Sequence, residues 1–215
     1  MKNYVEVAYE EKEKPFGEYP LLLAQYLMRR YKMKQGMRIL DNGCGRGEFL
    51  HAFTCLGMQA SGTDISDYCK EAHIVDFNKE SLPFPDNYFD VVFSKSVIEH
   101  IENTEHYISE MRRVLKKKGL LLVMAPDWET QYKIFYQDPT HIHPYTTKSM
   151  DRILNMCGFH HVKAEKFIQL PCVWKNRLIK FLSHAVGMAG PVKKIYKNKF
   201  IRFSRELMVL GSGRK

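Results

Sequence analysis

The sequence lacks the cysteine spacing of a metal-binding or disulfide-linked protein. Its five cysteines are an odd number and include no C-x-x-C pair, so the pattern predicts neither a disulfide framework nor a zinc site. The chain also has no uninterrupted apolar run of about eighteen residues, which a membrane-spanning helix requires. Its charged beginning contains no apolar stretch typical of a signal peptide. We therefore expect a cytoplasmic protein that does not span a membrane.

Acidic residues are scarce at the C-terminal end. Positions 170–215 contain eleven lysines and arginines and a single acid, Glu206, whereas the whole chain carries a net charge of +9. Attraction to an anionic partner is therefore expected at this end. Three interpretations are open: a solvated or packing face, a surface for anionic acceptors or nucleic acid, or a membrane-surface element formed by WKNRLIKFLSHAVGM at 174–188.

The apolar patterning alternates between strand and helix. A helix is predicted over Glu18–Tyr31. The apolar runs that follow it predict seven strands, at Met37–Leu40, Met58–Asp64, Ile74–Val75, Phe89–Ser94, Leu120–Ala125, His160–Phe167 and Phe200–Leu210. Further helices are predicted between them, at Glu48–Leu56, Ile101–Leu115, Thr147–Cys157 and Val173–Ala189. This alternation predicts one α/β domain over residues 1–215, with a mostly parallel sheet and helices on both faces.

The segment ILDNGCGRGEFL, residues 39–50, is the strongest local motif. A strand ending in an acid runs into glycines 43, 45 and 47, which let the backbone approach a ligand closely. A dinucleotide fingerprint would place its third glycine at position 48, where this chain has Glu48. The turn therefore favours a ligand without phosphates.

Two further strand ends carry acids. Asp64 follows the second strand, where a carboxylate can accept hydrogen bonds from two ribose hydroxyls. Asp76 follows the third strand and could accept from an adenine amino group, with Phe77 packing on the base. The alternative for Asp76 is a helix cap. Together the three strand ends predict a nucleoside site.

Four segments in order, ILDNGCGRGEFL, GTDIS, VDFNKESLPFPDNYFDVVFSKSVIEHI and EMRRVLKKKGLLLVMAP, resemble the successive motifs of class I S-adenosylmethionine-dependent methyltransferases. The resemblance covers roughly Arg38 to Pro126 and is nearest to the quinone-methyltransferase-like, type 11 branch. It implies a Rossmann-like fold whose seven-stranded, mostly parallel sheet has an antiparallel last strand. It also implies S-adenosylmethionine as the cofactor.

The resemblance assigns cofactor contacts residue by residue. It implies that the glycine turn lines the methionine part, that Asp41 bonds the amino group, that Asp64 holds ribose, and that the fourth strand's end borders the sulfonium. The full implied set is Asp41, Gly43, Cys44, Gly45, Gly47, Asp64, Ile65, Asp76, Phe77, Ser94 and Lys95. Glu99 and His100 precede a helix, where such residues more often cap or brace than catalyse, so they are left out of the predicted site.

The residues predicted to bind the methyl acceptor lie in the second half of the chain. DPTHIHPYT, residues 138–146, resembles a segment of methyltransferases from sugar and cell-surface glycan pathways. His141 or His143 is the expected general base for a hydroxyl acceptor, with Tyr145 as a further acceptor-site candidate. Three loop residues without a fourth ligand do not predict a metal site.

The expected reaction is therefore O-methylation of a sugar or of a nucleotide-linked or lipid-linked glycan metabolite. The alternative is methylation of a quinone-like or other apolar small molecule. A nucleic-acid acceptor is not expected, because the Asn/Asp-Pro-Pro-aromatic signature is missing. A cofactor-binding module without catalysis is the non-enzymatic alternative.

The predicted organisation has three parts. Residues 1–35 form an N-terminal helical cap, residues 36–126 the cofactor-binding core, and residues 127–215 the acceptor-side elements, with a basic helical insertion at 171–198. Peripheral membrane contact through the basic region would suit a lipid-linked acceptor.

Overall fold

A computed structural model describes residues 16–190, 192 and 196–215. Its strands are β1 Arg38–Asn42, β2 Gln59–Asp64, β3 Ala72–Ile74, β4 Phe89–Lys95, β5 Leu115–Pro126, β6 His160–Phe167 and β7 Met208–Arg214. Its α-helices are α1 Glu18–Tyr31, α2 Glu48–Cys55, α3 Thr104–Val114, α4 Trp128–Gln131, α5 Thr147–Met156, α6 Pro171–Lys175, α7 Arg177–Gly187 and α8 Lys199–Arg205. Short 3-10 turns lie at Ile98–His100 and Phe135–Gln137.

Within the described residues, seven strands form one sheet in the order β3-β2-β1-β4-β5-β7-β6. The pairs among the first five strands in this order are parallel. Strand β7 lies between β5 and β6 and is antiparallel to both. The predicted Rossmann-like class is therefore confirmed, including the antiparallel last strand. The order reverses at β1, so the carboxyl ends of β1, β2 and β4 meet at one edge of the sheet.

The central strands are apolar on both faces because helices cover both sides of the sheet. In β1, Leu40 packs in the cluster with α3 and α5, whereas its neighbour Ile39 packs in the cluster with α1 and α2. Val92 and Val91 of β4 divide between the same two clusters. Successive side chains of a strand point to opposite faces, so a continuous apolar run fills both layers and fixes the strand end that bears Asp41.

The predicted elements up to residue 114 lie within a few residues of the observed ones, but two predictions further on were wrong. Residues 200–205, predicted as strand, belong to helix α8, and β7 begins only at Met208. Asn198 caps that helix by accepting from the Ile201 amide, which starts a turn that the apolar run Phe200–Ile201 does not reveal. Strand β5 begins at Leu115 instead of Leu120.

The predicted helical insertion is broken into α6 and α7. The break falls at Asn176, whose side chain accepts hydrogen bonds from the Leu178 and Ile179 amides and thereby caps α7. Residues 1–15 of the predicted N-terminal cap, and residues 191 and 193–195 of the predicted insertion, lie outside the described residues. Among the helices that are described, none has the length and apolar character needed to cross a bilayer.

Candidate active site

A cavity of about 320 Å³ lies at the carboxyl ends of β1, β2 and β4. Small-molecule sites typically occupy roughly 300–1,000 Å³, so the cavity has the size of a cofactor site. Its wall is formed by Gly43, Cys44, Gly45, Arg46, Glu48, Phe49, Asp64, Ile65, Phe77, Asn78, Lys95, Ser96, Val97, His100 and Ile101.

The glycine turn between β1 and α2 brings the backbone against this cavity. Gly43 has φ +90°, in the left-handed region, and a Cβ built there would lie 2.1 Å from Val97 Cγ2. Both the backbone angle and the close contact therefore require glycine. The Gly43 and Cys44 amides both donate to the Thr63 carbonyl, which holds the turn on β2.

Asp64 closes the second strand end. Its Oδ2 accepts from the Gly45 amide at 2.7 Å, and its Oδ1 accepts from the Ser66 amide and hydroxyl at 2.9 and 2.7 Å. Each carboxylate oxygen carries two lone pairs, so these bonds fix the side chain and leave capacity for further hydrogen-bond donors. Asp64 is thus a pre-oriented acceptor on the cavity wall.

Asp41, at the end of β1, carries an unusual charge environment. Burial, with a smaller contribution from the neighbouring Asp64, raises the pKa of Asp41 to about 7. Among the described residues its Oδ2 has no hydrogen-bond partner. The positive charge of Lys95 acts in the opposite direction, and burial lowers the pKa of Lys95 itself. A buried carboxylate of this kind suits a positively charged ligand group.

Seven of the predicted cofactor residues line the cavity, and they are Gly43, Cys44, Gly45, Asp64, Ile65, Phe77 and Lys95. The other four do not form its wall. Asp41 and Gly47 are the flanks of the glycine turn. Ser94 is fully buried and hydrogen-bonded to the Tyr107 hydroxyl at 2.8 Å, under the strand end instead of on its surface. Asp76 accepts from the Asn78 amide at 3.0 Å and pairs with Lys79 at 3.3 Å.

Asp76 therefore makes capping contacts, as the alternative prediction for this residue expected. Asn78, and not Asp76, lines the cavity. The Asn78 Oδ1 also accepts from the Glu102 and Asn103 amides at 2.9 and 3.2 Å. These bonds tie the segment after β3 to the start of α3.

Glu99, His100 and His141 form a polar cluster beside the cavity. One ligand-type atom from each residue lies within 4.8 Å of the others. Glu99 is 1% exposed, and burial raises its pKa to about 8. His100 contributes to the cavity wall, and its ring centroid lies 4.8 Å from that of His141. The sequence motif placed Glu99 and His100 outside the site, whereas the fold brings them to it.

The loop bearing the predicted histidines is anchored on the turn Ile98–His100. The Ile142 and His143 amides donate to the Glu99 carbonyl at 2.9 and 3.1 Å. The His143 side chain is exposed and does not belong to the cluster. Tyr145 is buried in the core, with its hydroxyl 3.3 Å from Thr104 Oγ1. Of the three acceptor-side candidates, only His141 joins the cluster beside the cavity.

Half of the eight cavity residues missed by sequence reasoning lie after β4, and the others are Arg46, Glu48, Phe49 and Asn78. Ser96 has φ +59°, in a conformation that favours glycine, and its amide donates to the Met124 carbonyl. This turn directs Val97, His100 and Ile101 to the cavity wall. The motif VIEH, residues 97–100, drew attention to Glu99 and His100. Whether His100 caps a helix or lines the cavity could be decided only from the position of the turn.

The fold and site define a class. A Rossmann-like sheet with β7 inserted antiparallel between β5 and β6 carries a glycine turn, a pre-oriented acid on β2 and a buried acid on β1. The Asp41 oxygen without a partner among the described residues and the close-packed backbone cradle fit the ammonium and sulfonium of S-adenosylmethionine better than a phosphate ligand. These are the features expected of an S-adenosylmethionine-dependent methyltransferase.

Comparison of the chain with known proteins shows its family. The sequence profile of the methyltransferase domain family matches residues 16–164, and the chain belongs to that family. An uncharacterized protein of Methanocaldococcus jannaschii is 29% identical over 188 residues, covering 80% of this chain and 79% of that protein. A probable S-adenosylmethionine-dependent methyltransferase of Mycobacterium tuberculosis is 33% identical over 98 residues, which span 41% of this chain and 35% of that protein.

Among solved structures, a SAM-dependent methyltransferase from Archaeoglobus fulgidus superimposes with a TM-score of 0.66. It is 24% identical, and the alignment covers 99% of this chain and 100% of that chain. At this identity the likeness establishes the fold, and the family assignment depends on the sequence match.

Proposed function

We propose that this methyltransferase transfers the methyl group to a hydroxyl oxygen of a small-molecule acceptor. The observation that carries the proposal is the cluster of Glu99, His100 and His141, which meets the cavity at His100. A hydroxyl must give up its proton during or after attack, so it needs polar groups at the reacting end of the site. An acceptor that loses no proton would not require a cluster of titratable side chains such as Glu99, His100 and His141.

The residues proposed to hold the cofactor follow the cavity wall. When bound, S-adenosylmethionine supplies an electrophilic methyl group on its sulfonium. Gly43, Cys44 and Gly45 would contact the methionine part, whereas Gly47 would shape the turn behind them and Asp41 would accept from the ammonium. Asp64 and Ile65 would hold ribose, and Phe77 and Asn78 adenine. Asp76 supports this wall through its cap on Asn78, whereas Lys95 is proposed to border the reacting atoms.

The division into a cofactor-binding core, residues 36–126, and acceptor-side elements, residues 127–215, belongs to the same proposal. It is supported by the loop at 138–143, which packs on the turn Ile98–His100. With cofactor bound, this packing would limit the directions from which an acceptor and water approach. In an in-line displacement, such alignment and exclusion of water supply much of the rate enhancement.

Two acceptor classes are proposed, with the saccharide first. A sugar or a nucleotide-linked or lipid-linked glycan metabolite offers aliphatic hydroxyls, which suit the polar cluster. A quinone-like phenol is the alternative, and it would use the apolar wall formed by Phe49, Val97 and Ile101. Ubiquinone biosynthesis O-methyltransferases are among the curated relatives, and that of Rhodopseudomonas palustris matches 41% of this chain at 31% identity.

Calorimetry with S-adenosylhomocysteine followed by methyl-transfer screening tests the proposal. The screen contains nucleotide-linked sugars, lipid-linked sugars and phenolic quinone precursors, each with a matched analogue whose reacting hydroxyl is replaced by hydrogen. We expect stoichiometric binding of the product cofactor and transfer only to acceptors with the hydroxyl. Transfer to nitrogen or carbon acceptors alone would contradict the proposal.

A second candidate property concerns the surface of α7. Leu178, Phe181 and Leu182 are 76, 71 and 56% exposed, and Lys175, Arg177 and Lys180 adjoin them in sequence. Exposed apolar side chains with basic neighbours favour contact with an anionic membrane surface, which would bring the enzyme to a lipid-linked acceptor. Flotation with anionic liposomes tests it: the chain should float, and Phe181→Ser with Leu182→Ser should not. Absence of flotation for the unaltered chain would contradict the membrane contact but not the methyl transfer.

A further inference from the structure

We propose that Glu99, His100 and His141 form a binding site for a divalent transition-metal ion, with Zn²⁺ as the best fit. The three residues come from two segments, the turn Ile98–His100 and the loop before α5. Their ligand-type atoms lie within 4.8 Å of one another. Two imidazoles and a carboxylate form a donor set typical of zinc and of other first-row divalent ions.

The Glu99 carboxylate is the observation that points to a ligand. It is 1% exposed, and neither of its oxygens accepts a hydrogen bond from another residue among those described. A buried carboxylate without partners is strongly disfavoured by desolvation unless it is paired, protonated or bound to a metal. Lys95 acts on Glu99 electrostatically, but its ammonium donates to the Ser96 hydroxyl at 3.5 Å. A bound cation would satisfy both oxygens.

The two histidines are already oriented as metal ligands usually are. His141 Nδ1 lies 2.7 Å from the Phe135 carbonyl oxygen, and His100 Nδ1 lies 3.2 Å from the Thr140 carbonyl oxygen. A carbonyl can only accept, so each Nδ1 carries the proton and each Nε2 the lone pair. Metal-binding histidines are held in this way by a backbone carbonyl or carboxylate behind the ring.

A second acid adds negative charge to the site. Asp138 Oδ2 lies 3.9 Å from His141 Nε2, and Asp138 Oδ1 accepts from the Thr140 hydroxyl at 2.6 Å. The Thr140 hydroxyl in turn lies 2.9 Å from His100 Nδ1. Asp138 therefore braces one histidine through Thr140 and faces the other directly, which favours a cation between the rings.

The spacing requires an adjustment of the side chains. Zinc binds nitrogen and oxygen at about 2.0–2.2 Å, so three ligand atoms around one ion lie roughly 3.4–3.7 Å apart. Closing a cluster whose atoms lie within 4.8 Å of one another takes a shift of up to about 1 Å at each side chain. Mg²⁺ prefers six oxygen ligands and is therefore a poor fit.

The position of His100 on the cavity wall gives the ion a role, which rests on the proposed function. Three protein ligands leave a coordination position open, as in catalytic zinc sites. With the ion bound, an acceptor hydroxyl at that position would pass its proton to solvent water more readily, because the ion would stabilise the alkoxide that forms. The metal site itself is independent of the acceptor's identity.

Calorimetric titration of the purified full chain with Zn²⁺, after treatment with a chelator, tests the proposal. We expect one equivalent to bind, with an affinity at least about tenfold weaker for Glu99→Gln and for His141→Ala. The matched control is His143→Ala, which removes an exposed histidine of the same loop and should bind Zn²⁺ like the unaltered chain. Mg²⁺ at the same concentrations should bind at least tenfold more weakly than Zn²⁺.

Binding of S-adenosylhomocysteine and thermal unfolding, measured on the same samples, show whether each variant is folded and separate this proposal from the proposed function. Folded Glu99→Gln that binds Zn²⁺ as tightly as the unaltered chain overturns the site. So does loss of binding in His143→Ala equal to that in His141→Ala, or no stoichiometric Zn²⁺ in the unaltered chain. Zn²⁺ binding without any methyl transfer would leave the site standing and count against the proposed function alone.

Discussion

The two sides of the cavity differ in the chemical groups that form them: mainly backbone on one side and mainly side chains on the other. On the cofactor side, backbone groups and strand ends form the wall, with the Gly43 turn held on β2 and Asp64 fixed by three hydrogen bonds. On the proposed acceptor side, side chains of the segment after β4 form it, namely Val97, His100 and Ile101. In the polar cluster beside this wall, the carboxylate of Glu99 is left without a partner among the described residues.

Because of this difference, substitutions on the two sides of the cavity should affect different properties of the enzyme. A wall made of backbone changes only when the fold changes, so substitutions on the cofactor side should alter stability and cofactor affinity together. A wall made of side chains can change chemically while the backbone remains in place. Substitutions on the acceptor side should therefore alter turnover and leave cofactor binding unchanged.

The strongest test of the backbone wall is Gly43→Ala. The added Cβ would lie 2.1 Å from Val97 Cγ2 at φ +90°, so we expect a loss of about 2–4 kcal/mol in the free energy of unfolding. Urea unfolding measures it. Gly17→Ala is the control, since nothing lies within 4 Å of a Cβ there. Adding Val97→Ala should recover only the part caused by the contact. An unchanged unfolding curve for Gly43→Ala would show that the turn is not tightly packed.

Asp64→Ala should give the next largest effect. It removes the carboxylate that we propose accepts from the ribose hydroxyls, and it also frees the Gly45 amide. With roughly 1.5–3 kcal/mol for each hydrogen bond to a charged group, affinity for S-adenosylhomocysteine should fall at least about 100-fold. Calorimetry measures the affinity, and Asp67→Ala, an exposed acid three residues further on, is the control. Equal affinities for the two variants would remove Asp64 from the site.

His141→Ala probes the polar cluster beside the cavity. We expect turnover to fall at least about tenfold, because the cluster beside His100 loses one of its three members. Affinity for S-adenosylhomocysteine should stay within about twofold, since the cofactor wall is untouched. His160→Ala, at the exposed start of β6, is the control for removing a histidine. Loss of cofactor affinity in His141→Ala would break the distinction between the two walls.

The pH dependence of cofactor binding gives the smallest expected effect. Asp41 has a pKa of about 7, and only its charged form attracts the cofactor's ammonium. Affinity for S-adenosylhomocysteine should therefore rise with pH, by up to about tenfold between pH 6 and 8. In Asp41→Asn the affinity should be lower and this rise absent. Calorimetry across the range checks it, and an equally steep rise in the variant would assign the titration to another group.

Stability without the cofactor should change in the opposite direction. Because the pKa of Asp41 is higher in the folded than in the unfolded chain, its protonated form is favoured by folding. Its contribution to stability is complete below about pH 4 and is lost as the pH rises through about 7. Comparing thermal unfolding of the unaltered chain and Asp41→Asn over this range isolates that contribution.

Sequence reasoning succeeded where the structure depends on local features. Helix α1 and strand β6 have the predicted bounds, and the turn at residues 43–47 was predicted from its glycines. It was less successful where a capping side chain or a turn decided the outcome. Asn198 starts a helix in an apolar segment predicted as strand, and Ser96 adopts a positive φ that its residue type does not suggest.

The sequence by itself determined the cofactor end of this methyltransferase, because apolar alternation sets the strands and the residues following each strand must share one edge of the sheet. The tertiary structure alone decided the acceptor end. Glu99 and His141 are far apart in the chain, and only the packing of one loop on one turn brings them within 4.8 Å. Contacts between distant segments depend on three-dimensional packing that no local spacing encodes.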